Sequence, residues 1–473
     1  MYRLSVLILF FVCFHFFGFA QVYTTSDFDS TSKKNIIIRS IIIIGNNTTK
    51  TDIVTREITF NYLDTLTEAT LHKKMHLSQQ NLMNTGLFNF VDIRKLNIDS
   101  TQADIYVMLT ERWYFWPIPL FEIADRNFNI WWKTKNPHHL NFGTYLIKYN
   151  FRGRRETLQA KIQFGFSQQF ALQYDLPYLN KKQTLGMGFV AYVTRNHEIY
   201  YGSENNKLLF YRDDKNFVRK DFQFRYNFAY RPNIYNLHKV EMRYYNANVQ
   251  DTITKIATRY FTNNINKAQI LTAAYNFDRD RRDYKTYALK GYRFTLDVSK
   301  IGFGLLKNEN SNYTKVEVTA EKHQTITKKL YYSIYGKGKW TNTNDIPYYL
   351  QRGLGFLDVV RGYDYYVIDG QQFALFKNGF KYELFSNKKV ELEPFKNDRF
   401  RKAFYAFYID VFADAGYVKD NLYETKNKLA NQWLYGYGAG IHFITIYDIV
   451  LRAEIARNAN KETGFYINVG APF

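Results

Sequence analysis

Over residues 113–473 the chain alternates apolar and polar side chains with a period of two, and this constrains the fold more than any other feature. Successive residues of a strand point to opposite faces, so the parity can be read directly. In residues 405–417 the odd positions are Tyr405, Phe407, Ile409, Val411, Ala413, Ala415 and Tyr417, and the even positions include Tyr408, Asp410, Phe412, Asp414 and Gly416. Both carboxylates therefore lie opposite an apolar stripe that begins and ends in tyrosine. The split recurs in Tyr292, Phe294, Leu296 and Val298 against Arg293, Thr295, Asp297 and Ser299, and in Ile449, Leu451, Ala453 and Ile455 against Arg452 and Glu454. A soluble sandwich would bury the apolar face in a core, whereas a transmembrane barrel would turn it to lipid.

Export favours the barrel. Arg3, the apolar residues 4–19 and the small-x-small site Gly18-Phe19-Ala20 before Gln21 read as a signal peptide over residues 1–20, with an uncleaved anchor as the alternative. Aromatic residues at strand ends, and a terminal strand of Phe465, Ile467, Val469, Ala471 and Phe473, point the same way. Beyond the N-terminus no apolar run approaches the roughly 18 to 20 residues of a spanning helix, so a helical bundle is excluded. With 46% hydrophobic residues, disorder is excluded as well. Cys13, the single cysteine, lies in the signal segment behind Val12 rather than a small residue, so it is not a lipoprotein cysteine, and cleavage would leave no thiol for disulfides or metal. The 64 Lys and Arg against 43 Asp and Glu are dispersed along the chain. In an exported protein they suit anionic headgroups or solvated loops, not nucleic acid. The roughly 360 residues after Arg112 fit sixteen strands at about 22 residues per strand and connection, with 14 and 18 as neighbouring solutions.

Residues 21–33 are polar and aperiodic and read as a linker. Residues 34–112 differ from the rest. The β-branched residues 36–45 predict a strand ending in the turn Gly45-Asn46-Asn47; Thr51-Asp52 offers a helix cap ahead of Ile53, Val54, Glu57 and Ile58; and Thr67 caps a second helix with the stripe Leu71, Met75, Leu82 and Met83. Two alternating segments, 88–98 and 104–112, complete an α+β module of order βααββ.

Chemistry is sparse. Gly436, Gly438 and Gly440 spell GxGxG inside an alternating strand with no helix after it, so a glycine-lined inner wall making room for a loop is the better reading than a dinucleotide site. His72 and His76 have metal-compatible spacing but no recognisable third ligand, and Asp410, Asp414 and Glu454 read as lumen ion-pair partners rather than acid/base pairs. G-x-S-x-G and H-E-x-x-H do not occur. No catalytic residue, cofactor or metal is expected.

Several motifs point to a family. Residues 34–112 resemble one polypeptide-transport-associated (POTRA) domain, with Ile44-Gly45-Asn46 closing the first strand and Asn84-Thr85-Gly86-Leu87-Phe88 entering the next sheet segment. Asn150-Phe151-Arg152-Gly153-Arg154, Leu176-Pro177-Tyr178-Leu179, and Asp278-Arg279-Asp280 with Lys290-Gly291-Tyr292 resemble barrel turns. Val360-Arg361-Gly362-Tyr363 resembles the tip of a loop folded into the lumen, and Phe412-Ala413-Asp414-Ala415-Gly416 the strand that receives it. On these residues the chain resembles the BamA/TamA superfamily of outer-membrane assembly and translocation barrels, in a short form with one POTRA domain.

The resemblance implies a periplasmic POTRA-like domain followed by a transmembrane antiparallel barrel in the outer membrane of a Gram-negative bacterium. It implies a non-enzymatic role in inserting outer-membrane proteins or exporting a polypeptide or lipid, among outer-membrane lipids, with accessory periplasmic or lipoprotein partners unidentified. Within it, Val360, Arg361, Gly362 and Tyr363 form the lumen-loop motif; Phe412, Asp414 and Gly416 the receiving strand; and Phe465, Ile467, Val469 and Phe473 a C-terminal recognition strand. Arg361 is expected to pair with Asp414 over the Phe412 ring. A lateral opening is expected between a first strand near residues 140–149 and the last near 464–473. A porin is the alternative, needing the barrel but neither the module nor the Arg361 loop.

Overall fold

The structure, a computed structural model, describes residues 35–123, 128–135, 140–261, 264–309, 311–391, 402–445 and 448–472. Residues 1–20, expected to be a signal peptide, residues 21–33, expected to be a linker, and Phe473 lie outside them.

The N-terminal module is a four-stranded sheet packed on two helices. Strand β1 (Asn35–Ile44) leads to helix α1 (Thr51–Thr55), then the short strand β2 (Thr65–Thr67), helix α2 (Glu68–Asn84), β3 (Phe88–Asn97) and β4 (Gln102–Glu111). The sheet order is β2-β1-β4-β3, with β1 and β4 parallel. Strand β2 adds to the expected βααββ order because the extended chain entering α2 pairs with the start of β1. Thr67 caps α2 by accepting a bond from Thr70 N (3.3 Å). Thr51, expected as a cap, is instead the first residue of α1. Ile36, Ile38, Leu71, Leu82, Ile105 and Val107 form the interior.

The rest is one antiparallel sheet of sixteen strands. In chain order they are β5 (Phe115–Ile123), β6 (Leu140–Phe151), β7 (Glu156–Gly165), β8 (Ser167–Leu176), β9 (Leu185–Asn196), then, after the separate hairpin β10 (Glu198–Glu204) and β11 (Lys207–Arg212), β12 (Arg219–Tyr230), β13 (Asn236–Val249), β14 (Lys267–Asp280), β15 (Gly291–Ile301), β16 (Tyr313–Thr325), β17 (Leu330–Thr341), β18 (Gln372–Glu391), β19 (Lys402–Lys419), β20 (Trp433–Thr445), β21 (Val450–Asn458) and β22 (Thr463–Val469). The first strand is β5, not the segment near 140–149, which is the second. Pro117 and Pro119 disguise β5 as a non-strand because proline is tolerated only where no ladder donor is needed.

The wall is inverted relative to a soluble protein: Val411, Ile441, Leu451, Ile455, Phe465 and Ile467 are exposed outward, while Asp410, Asp414, His442 and Glu454 are buried inward. Lipid outside and a polar lumen account for both. Among the described residues no helix is long and apolar enough to cross a membrane.

The module docks on one rim. Lys50 N donates to Gly153 O (2.9 Å) in the β6–β7 turn, Arg231 Nη1 reaches Glu57 Oε1 (3.2 Å), and Arg112 Nη1 reaches Asp448 Oδ2 (2.8 Å) in the β20–β21 connection. At Gly153, with φ +74°, a Cβ would fall 2.2 Å from Thr48 O, so this contact requires glycine. The connection of residues 342–371 between β17 and β18 leaves from the opposite rim.

Candidate functional site: a loop seated in the lumen, and the seam beside it

The 342–371 loop folds back against the inner wall of the last strands. Leu354, Val360, Tyr363 and Ile368 cluster with Leu375, Val418 and Leu434, which gives the loop an apolar footing. Its polar tip then meets the wall's buried acids.

Arg361 Nε donates to Asp414 Oδ2 (2.8 Å) and Nη2 to Asp414 Oδ1 (2.7 Å), a two-pronged pair. Nη1 reaches Asp410 Oδ2 (3.1 Å) and approaches Glu454 Oε1 (3.6 Å). The guanidinium carbon stands 3.6 Å from the Phe412 ring centroid, so one face stacks while the edge is hydrogen-bonded. Asp410 and Asp414 are four residues apart on β19, and this even spacing puts both carboxylates on the inner face with Phe412 between them. Burial alone would lower the Arg361 pKa; Asp414, then Asp410 and Glu454, raise it above its ordinary value.

The rest of the tip is held by backbone. Gly362 adopts φ +95°, and its carbonyl accepts from Asn458 Nδ2 (3.0 Å) and Tyr466 Oη (3.4 Å). The Tyr363 hydroxyl accepts from Ala459 N (3.2 Å). Val360 lies over Gly416, where a Cβ would come within 2.5 Å of it. At Gly436 a Cβ would sit 1.8 Å from Arg361 O, so the glycine of β20 makes room for the loop backbone.

Sequence reading did not single out His442 or Lys381. His442 Nδ1 is 2.8 Å from the Tyr287 hydroxyl, and Nε2 is 3.4 Å from Glu454 Oε1. Lys381 Nζ donates to Ala288 O (3.3 Å) and lies over the Tyr287 ring. The signal was present as inward parity on β18 and β20, but parity does not tell which inward polar residue meets the loop. Asp410, His442 and Glu454 are the metal-compatible group among the described residues. The guanidinium of Arg361 already places a cation between the two carboxylates, and Arg452 Nη1 holds Glu454 Oε1 at 2.9 Å. His72 and His76 remain on α2, away from this cluster.

Phe465, Ile467 and Val469 lie on β22, turned outward, at one end of the sheet. The other end is β5, and no hydrogen bond joins the two among the described residues. A helix, α3 (Phe128–Thr134), follows β5 and touches β22, where Asn129 Oδ1 accepts from Ile467 N (3.0 Å). Five residue steps separate Ile123 from Phe128, a reach of at most about 18 Å, so α3 ties the end of β5 to the neighbourhood of β22.

Residues 150–473 match the Omp85 superfamily domain, and residues 36–112 match the surface antigen variable number repeat, a POTRA family. Among solved structures, BamA from Haemophilus ducreyi lacking POTRA domains 1–3 is similar with a TM-score of 0.51 at 14% identity, over 92% of this chain and 83% of that one. CdiB from Escherichia coli has a TM-score of 0.47 at 10% identity, covering 95% and 92% of the two chains. CdiB from Acinetobacter baumannii has a TM-score of 0.47 at 13% identity, covering 92% and 74%. No curated protein matches.

Proposed function

Since this chain belongs to the Omp85 superfamily, we propose that it assists insertion of outer-membrane proteins, or export of a polypeptide or lipid, through a lateral opening between β5 and β22. On this reading residues 1–20 are a signal peptide, 21–33 a linker, 34–112 a periplasmic POTRA domain and 113–473 the barrel. The observation that carries it is the seam: sixteen strands whose two end edges are not hydrogen-bonded to one another among the described residues. An unpaired backbone group in hydrocarbon costs several kcal/mol, so an edge that faces lipid is a strong attractor for another strand. A client strand that pairs with it enters without exposing its own backbone groups.

Arg361 and its acids would hold the loop in place while the seam opens, and the terminal strand with Phe465, Ile467, Val469 and Phe473 would carry this protein's own recognition by the assembly machinery. The seated loop fills lumen that a steady porin would leave open. The test is a seam lock. Phe115→Cys with Val469→Cys, oxidised, should abolish rescue of the outer-membrane proteome in a depleted strain, and reduction should restore it. A locked barrel that still rescues would remove lateral opening as the mechanism.

A further inference from the structure

The two edges of the seam are chemically unequal. Tyr149 N donates to Tyr114 O (2.7 Å) in the register that pairs Phe115 with Lys148. Antiparallel strands alternate between residues bonded to the neighbour and residues turned away. Phe115, Pro117, Pro119, Phe121 and Ile123 therefore aim their backbone groups at the seam. Two of those five have no N–H, and the carbonyl of Phe115 is taken by the Trp113 indole. On β22, Gly470 N donates to Val450 O (2.8 Å) in the register that pairs Leu451 with Val469. Phe465, Ile467 and Val469 thus face the seam, each with an intact N–H and carbonyl.

The Ile467 N–H of this intact edge has an occupant. Asn129 Oδ1 sits on it, and Asn129 is itself buried, with its Nδ2 lacking a hydrogen-bond partner among the described residues. A carboxamide oxygen is a single peptide carbonyl in miniature. It shows that the edge takes a peptide-type acceptor at this position. The helix is also moored to the lumen loop, because Lys133 Nζ lies 4.9 Å from the Tyr365 ring centroid.

We propose that the seam is a one-sided pairing site: the last strand, β22, receives an extended polypeptide strand, α3 is its resident cap through Asn129, and Pro117 and Pro119 bar the first strand from the same role. This rests on the lateral-opening reading and specifies which edge does the pairing. The incoming strand contributes backbone carbonyls and N–H groups alone, so recognition requires an extended, alternating segment rather than a particular side chain. The prolines also explain why the two edges do not zip together: a β5–β22 ladder would meet two missing donors in succession.

The test uses the full-length protein in detergent micelles in a Cys13→Ala background. The probe is a decapeptide alternating valine and threonine with one central cysteine. Disulfide coupling to Ile467→Cys on β22 should exceed coupling to Phe121→Cys on β5 by at least fivefold. Asn129→Ala should raise coupling at position 467 about threefold. Pro117→Val with Pro119→Val should bring the ratio of the two below twofold. Equal or reversed coupling in the parent, or a ratio unmoved by the valines, overturns one-sidedness and leaves lateral opening standing. Coupling at neither edge in any variant overturns both. Should the double valine variant not fold, the parent ratio and the Asn129→Ala response decide.

Discussion

Ile105 in the N-terminal module and Ile455 in the barrel occupy strands of similar length, yet the first is 0% exposed and the second 57%. The module keeps Ile36, Ile38, Ile53 and Ile105 in an apolar interior, as a water-soluble α+β fold does. The barrel reverses the arrangement, and its interior is organised by charges instead: Arg361 and Arg452 against Asp410, Asp414 and Glu454. What holds an element in place therefore differs between the two regions. In the module it is apolar contact, which is non-directional; in the lumen an apolar footing is joined by a small set of directional bonds, each dependent on its partner.

That contrast breaks most visibly at Arg361. Arg361→Ala strands the buried Asp414 and Asp410 carboxylates, and losing one partner of a buried pair costs about 3–5 kcal/mol. The loop should be released, seen as chymotryptic cleavage after Leu354, which is buried in the wild type. Asp414→Ala should release it too, and the double variant should lose less than the sum; additive losses would mean the two residues do not act as a pair.

The module's counterpart is Leu82→Ala, a cavity in the apolar interior expected to cost about 2–5 kcal/mol. It should unfold the module while the barrel's heat-modifiable migration persists. Loss of both together would show that docking at Gly153 and Asp448 makes them one cooperative unit.

Outward positions test the inverted wall. Val411→Arg should cost about 2–4 kcal/mol if the residue lies near the bilayer midplane, measured as a shift in the urea midpoint of barrel unfolding in lipid vesicles. A neutral result would place it at an interface.

The smallest effect is expected at a charge on the module's surface. The Arg39 hydrogen bond holds the Asp104 carboxyl below its usual range. A depressed folded pKa adds stability above the unfolded value of about 3.9 and loses it as pH falls through the folded value. Arg39→Ala should therefore remove a small stability increment near neutral pH, and the difference from the parent should shrink as pH falls through the folded pKa of Asp104.

Much of this was legible from residue order. Inward Asp410 and Asp414 and outward Ile409 and Val411 follow from a period of two. The module's helix α2 follows from its cap and stripe. Strand β5 was not legible, since Trp-Pro-Ile-Pro reads as a break until it is known to lie on an edge, where missing donors cost nothing. The Asn129 contact with Ile467 was equally hidden, because 338 residues separate the partners and one side-chain-to-backbone bond leaves no periodic trace. His442 shows a third limit: inward direction is a matter of parity, but meeting Glu454 depends on how strands stagger across the sheet.

The lumen loop bears on the order in which such a wall can be built. Among the described residues, the wall contacts of the Val360–Tyr363 tip described above run to β18, β19, β20, β21 and β22, downstream and within 104 residues. The entropy of closing a chain segment grows with the logarithm of its length, so these closures cost less than bringing β5 round to meet the far end. The loop is thus a former around which the final third can curl, before the circle is complete.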